Sequence, residues 1–140
     1  MTLDFGAVNW LAVIVGTAIY FVLGALWYAP FFLGKRWQRS IGWDESRQME
    51  ASPMTYVAPA LIYLVSGAAT GLLAVATGTD TLAEGITLGL VVGIGYALVI
   101  TATDAVFDPM KPEKWTWFAI SGGYHVIGLL IVAVVIAIWP

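Results

Sequence analysis

The chain holds one histidine, and it stands in an apolar run. His125 falls within residues 115–140, which contain no Asp, Glu, Lys or Arg. An imidazole exchanges a proton near neutral pH and hydrogen-bonds through both nitrogens. Titratable groups deep in an apolar span are rare, and they face a bundle interior or a cavity. His125 is therefore the first candidate for a proton relay or a substrate contact. Tyr20, Tyr63, Tyr96, Ser66 and Thr70 stand at similar depth in the other apolar runs. They are its candidate partners, because a phenol can donate to a neutral imidazole nitrogen. Ordinary interhelical bonding, at about 0.6 kcal/mol per bond, accounts for the same residues without a function. Haem or quinone near His125 is a minor alternative, haem needing a second axial group; otherwise no cofactor is expected.

Asp104, Asp108 and Thr101 form a second candidate group. Asp104 and Asp108 are four apart and share a helical face with Thr101 above them. Like charges at that spacing repel, and carboxylates at a helix C-terminus oppose its dipole. A cation or proton site at the inner mouth is the functional reading. An interfacial salt-bridge network with Lys111, Lys114 or a loop arginine is the structural one. Asp108 also suits the turn before Pro109. With one His and no Cys, metal sites built from Cys/His clusters, disulfides and thiol catalysis are excluded. No phosphate-binding loop, nucleophile elbow, zinc-protease or dinucleotide motif is present, which points away from an enzyme.

These residues must be carried by membrane-spanning helices. Sixty per cent of the 140 residues are hydrophobic and 11% are charged, against roughly 25% charged in soluble domains. Residues 5–34, 51–79, 85–103 and 115–140 are free of charge, and a span needs about 20 apolar residues. The pattern predicts an all-α, four-helix membrane bundle in a single domain. Its helices run over about 8–28, 54–77, 82–107 and 115–139. Pro59 lies about one turn into the second helix and is a candidate kink. The first helix is read as permanent, since a signal peptide has a basic start and a shorter apolar core. A sequence pI of 4.8 leaves no basic footprint for nucleic acid.

Lys35, Arg36, Arg39 and Arg47 lie in the loop 34–52, and Lys111 and Lys114 lie in the loop 108–114. The turn 78–81 and the N-terminal tail have no base. The positive-inside rule makes the basic loops cytoplasmic and sets both termini outside the cytoplasmic (inner) membrane. Trp27, Tyr28, Trp37, Trp43, Trp115 and Trp117 crowd the basic boundary, while Trp10 and Trp139 mark the other; all are read as interface anchors. Trp37 and Ile41 among the basic residues predict a short amphipathic segment on the inner leaflet. Asp44 is a candidate cap for a second short helix holding Glu45 and Arg47. Asn9 is a candidate cap of the first helix, and Asp80 or Thr81 of the third.

Small residues set the packing faces. Gly85, Gly89 and Gly93 repeat at four-residue spacing; Gly67 and Gly71, Gly16 and Gly24, and Gly122 and Gly128 mark stripes on the other helices. Such stripes allow close backbone approach in lipid. Their partners lie either in the same subunit or in a neighbour, and the small interior favours a homo-oligomer.

Asn9-Trp10-Leu11-Ala12-Val13, Gly24-Ala25-Leu26-Trp27-Tyr28 with Pro30, then Gly34 and Trp37, resemble the opening of a bacterial membrane family. Gly123-Tyr124-His125, Gly128 and the terminal Trp139 resemble its last helix. That family is domain of unknown function 1761. The resemblance covers essentially the whole chain and implies a four-helix integral membrane protein, with Asn9, Trp27, Tyr28 and His125 in the family pattern. It implies no activity. The small multidrug transporters are similar in size, but their first helix carries a Glu and residues 5–34 have none. The expected function is a homo-oligomeric transporter or channel for a small solute or proton. The alternative is a non-catalytic accessory or scaffold subunit of a larger membrane complex.

Overall fold

The computed structural model describes residues 3–44, 46 and 52–139. The described residues form α1 (Trp10–Trp27), α2 (Gly34–Ser40), α3 (Pro53–Thr77), α4 (Leu82–Val92), a π-helical segment (Gly93–Leu98), α5 (Val99–Phe107) and α6 (Lys114–Ile138). No strand occurs among them. Four stretches, Trp10–Trp27, Pro53–Thr77, Leu82–Phe107 and Lys114–Ile138, are long and apolar enough to cross a membrane. This is the build of a membrane protein.

Local chemistry fixes the helix ends. Asn9 Oδ1 accepts from the Ala12 N–H at 3.1 Å and starts α1 two residues later than Val8, where the apolar run suggested. Its Nδ2 donates to the Trp139 carbonyl at 3.0 Å, so the first and last helices are tied at one end. Pro53 opens α3, where a missing N–H does no harm, and Pro59 sits inside the helix. Gly78, at φ 66°, ends α3 in the left-handed conformation. Thr81 and Glu84 form a reciprocal capping box at the start of α4.

The helices are organised around α6, which packs against α1, α3 and the α4–π–α5 rod. Val132, Ala133, Ile136 and Ala137 of α6 are buried. The glycine stripes find their partners inside the chain. Gly85, Gly89 and Gly93 lie against the α6 backbone at Val134, Leu130 and Val126; a methyl at Gly89 would stand 2.7 Å from Leu130 Cα. Gly16 faces Val132 of α6, Gly67 and Gly71 face Thr17 and Val13 of α1, and Gly122 faces Leu98. These stripes are thus spent on intramolecular packing, and they no longer argue for a neighbouring copy.

The third span is not one regular helix, as its sequence suggested. A four-residue repeat drifts about 40° around an α-helix at each step. The wider turn of the π segment offsets that drift. Gly85, Gly89, Gly93, Thr101 and Ala105 accordingly all remain buried. α3 and α4 are joined by a short turn yet touch little, and α3 has no substantial contact with α5. That divergence leaves a gap above α6.

Candidate functional site

The gap is a cleft of about 190 Å³. Tyr20 of α1, Tyr63 and Ser66 of α3, Ala97 and Thr101 of the third span, and His125 of α6 line it. His125 is eleven residues in from Lys114, about 16 Å along the helix. The Tyr20 hydroxyl and His125 Nδ1 are 2.5 Å apart. They share one hydrogen bond, which the phenol donates when the neutral imidazole carries its proton on Nε2 and accepts when the proton is on Nδ1. A neutral imidazole that accepts at one nitrogen carries its proton on the other. With the phenol as donor, His125 therefore holds an Nε2–H. Among the described residues no buried side-chain nitrogen or oxygen lacks a partner, and His125 lines the cleft.

Aromatic rings hold this pair in place. Tyr20 stacks on Tyr63 with ring centroids 4.3 Å apart. Tyr124 is fully buried beneath them, 5.1 Å from Tyr20, 5.0 Å from His125 and 5.3 Å from Tyr28. Its hydroxyl donates to the Tyr20 carbonyl at 3.1 Å. Gly24 leaves room for that hydroxyl, and Gly128 leaves room for the Tyr20 ring. Any side chain at Gly128 would occupy the ring's place. The hydroxyls of Ser66 and Thr101 donate to the Ile62 and Ala97 carbonyls of their own helices at 3.2 and 2.7 Å. Their lone pairs remain as acceptors.

The structure brings together His125, Tyr20, Tyr63 and Ser66 of the expected cluster. Tyr96 is corrected out of it: the side chain is 65% exposed on the outer face of the π segment. Thr70 is buried, but it donates to Ser66 O at 2.8 Å and does not line the cleft. Thr101, expected beside Asp104 and Asp108, belongs instead to the His125 cleft. Tyr124, which stands beside His125 in the Gly123-Tyr124-His125 pattern, joins the site as a residue the depth argument does not single out. Neighbouring positions on a helix diverge by about 100°, yet a ring as large as Tyr reaches Tyr20, Tyr28 and Tyr63 from there.

Asp104 and Asp108 form a separate clasp at the basic end. Lys111 Nζ pairs with Asp104 at 3.1 Å and also with Asp108. It lies 4.2 Å from the centre of the Trp117 ring, a cation–π contact. Asp108 accepts from the Met110 N–H, closing the turn after α5. Its carboxyl is held below the ordinary 3.8, first by the Lys111 hydrogen bond and then by that N–H. Partial desolvation pushes the Lys111 ammonium down, but hydrogen bonds to Asp108 and Asp104 outweigh it and raise it above 10.5.

The anchor residues divide. Trp27 is a helix tie, its Nε1 donating to Ile120 O of α6 at 3.0 Å. Tyr28 packs on Trp37 and Tyr124. Trp10 donates to Phe5 O, and Trp115 and Trp139 are exposed. The Trp43 N–H donates to Gln38 O. The basic α2 is docked, not free: Glu113 N donates to Ser40 O, and Gly42 lies against Pro112. Asp44 accepts from the Ser46 N–H; Glu45 and Arg47 lie outside the described residues.

The family model for proteins of unknown function DUF1761 matches residues 11–137. The chain belongs to that family. The match takes in every residue of the cleft and the clasp, and it stops short of the Asn9–Trp139 tie. No curated protein and no solved structure matches the chain.

Proposed function

We propose that this DUF1761 protein is a small membrane transport protein that moves a proton or a small solute through the His125 cleft. Its orientation puts α2 and the Lys111 clasp in the cytoplasm, because the basic residues gather at that end. The observation that carries the reading is the pairing of Tyr20 with His125 Nδ1 beside an open volume midway along α6; the reading takes the phenol as donor, which leaves an Nε2–H for the cleft. A hydrogen-bond donor held at bilayer depth and not spent on a neighbouring helix has a ligand or a proton path as its ready use. The Tyr20 bond holds the ring in place and, with the phenol as donor, selects the Nε2–H tautomer. The π segment contributes Ala97 to the cleft wall, and such segments are frequent at functional sites.

Liposomes loaded with a pH-sensitive dye test the reading. Wild-type protein is expected to dissipate an imposed pH gradient faster than protein-free liposomes, and His125→Ala to return the rate to that background. Wild-type vesicles no leakier than empty ones would remove the proton route.

A further inference from the structure

The cleft has a side door. Its rim is formed by Ile62 of α3 and Ile100 of α5, which are 61% and 68% exposed. Both lie on helices apolar enough to cross a membrane, so at this depth the mouth faces hydrocarbon. Whatever reaches His125 through it must be soluble in lipid.

The lining also restricts the head group. It contains no Asp, Glu, Lys or Arg. The nearest carboxylate along α5, Asp104, is already paired with Lys111. An ionised ligand would sit there without a counter-charge, at a cost of several kcal/mol or more. With the Tyr20 phenol as donor to Nδ1, the cleft offers the His125 Nε2–H. It offers acceptor lone pairs on Ser66 and Thr101, whose protons are committed to Ile62 O and Ala97 O. The Tyr63 hydroxyl also lines the cleft and can donate or accept there. The complement of donors and acceptors in an uncharged lining is a group that both accepts and donates while staying neutral. A hydroxyl does this. A ketone or ester leaves Ser66 and Thr101 unanswered, and an amine is charged.

We infer that the cleft binds the hydroxyl end of a lipid-soluble alcohol, which enters between Ile62 and Ile100 with its chain left in the bilayer. The inference rests on the cleft being a ligand site, as the transport reading does, but it needs no proton movement. The hydroxyl accepts from His125 Nε2–H and donates to Ser66 or Thr101, and the Tyr20–Tyr63 stack walls the first carbons.

The probe is hexadecanol bearing a diazirine near its hydroxyl, photolysed in liposomes containing the full chain and mapped by mass spectrometry. Labelling is expected on the segments holding Tyr63, Ala97 and His125, reduced at least tenfold by excess hexadecanol but not by hexadecane. Ile62→Trp, at an exposed position that tolerates bulk, should block the mouth and give the same loss. His125→Gln, which keeps a donor, should retain more labelling than His125→Leu. Label spread evenly over all lipid-facing helices, or competed equally by hexadecane, overturns the inference. Specific labelling without dye-detected flux leaves the binding site standing and removes the proton route. Flux without specific labelling does the reverse.

Discussion

Tyr20 Oη and His125 Nδ1, 105 residues apart in sequence, meet at 2.5 Å and join α1 to α6 inside the helix bundle. One bond thereby fixes the ring orientation of the only histidine and decides which nitrogen faces the cleft. Tyr20→Phe keeps the stacked ring and removes the bond. Interhelical hydrogen bonds in membranes average about 0.6 kcal/mol and reach about 1.7. A loss in that range is expected when unfolding is followed in mixed micelles with increasing SDS. A loss of 4 kcal/mol or more would mean that the hydroxyl holds the fold rather than the site.

Gly128 and Gly95 make a matched pair. A methyl at Gly128 would occupy the space of the Tyr20 ring, whereas one at Gly95 would meet nothing within 4 Å. Tyr20 is itself hemmed in by Tyr63 and Tyr124, so it cannot move aside freely. Gly128→Ala should destabilise by about 1–3 kcal/mol, as overpacking does. Gly95→Ala should stay within about 1 kcal/mol of wild type. Equal losses in the same unfolding assay would contradict this packing.

The Lys111 clasp gives a pH dependence with a definite sign. Asp108 is depressed in the folded chain, so its contribution is present above the ordinary 3.8 and is lost as pH falls through the lower folded value. Lys111 is raised, so its contribution is present below 10.5 and is lost as pH rises through the higher folded value. The clasp is therefore intact across the neutral range and opens at both extremes. Asp108→Asn should remove the acid-side component of a stability profile measured between pH 2 and 6. An unchanged acid limb would show that other groups set it.

The absence of native cysteine makes the topology directly readable. Thr79→Cys, in the turn between α3 and α4, should react with a membrane-impermeant maleimide applied to intact cells. Ser46→Cys should react only after permeabilisation. The opposite pattern would invert the orientation proposed from the basic loops.

Much of the fold was legible because membrane solvation is a blunt constraint. Four charge-free runs are long and apolar enough to be spans, and Asn9, Thr81 and Gly78 mark helix ends by ordinary capping chemistry. The site was legible in part. His125, Tyr20 and Tyr63 stood out as polar groups in apolar runs, and their meeting follows from the glycines beside them. Tyr96 misled because depth along a helix says nothing about which way a side chain faces. Thr101 was grouped with Asp104 because the two are neighbours on α5, although Thr101 lies one turn deeper and reaches a different space. The π segment left a trace that went unread. A small-residue repeat of strictly four, extended through Ala97 to Thr101 and Ala105, cannot stay on one face of a helix with 3.6 residues per turn.

Both the transport reading and the alcohol site depend on His125 presenting Nε2–H to the cleft. Because the chain has one histidine, nitrogen-15 solid-state NMR of histidine-labelled protein in lipid bilayers at neutral pH reports that ring alone. The predicted spectrum has a protonated Nε2 and a hydrogen-bond-accepting Nδ1, with the Nδ1 signal moving in Tyr20→Phe. A protonated Nδ1, or an Nδ1 signal that Tyr20→Phe leaves unmoved, would contradict the geometry on which both rest.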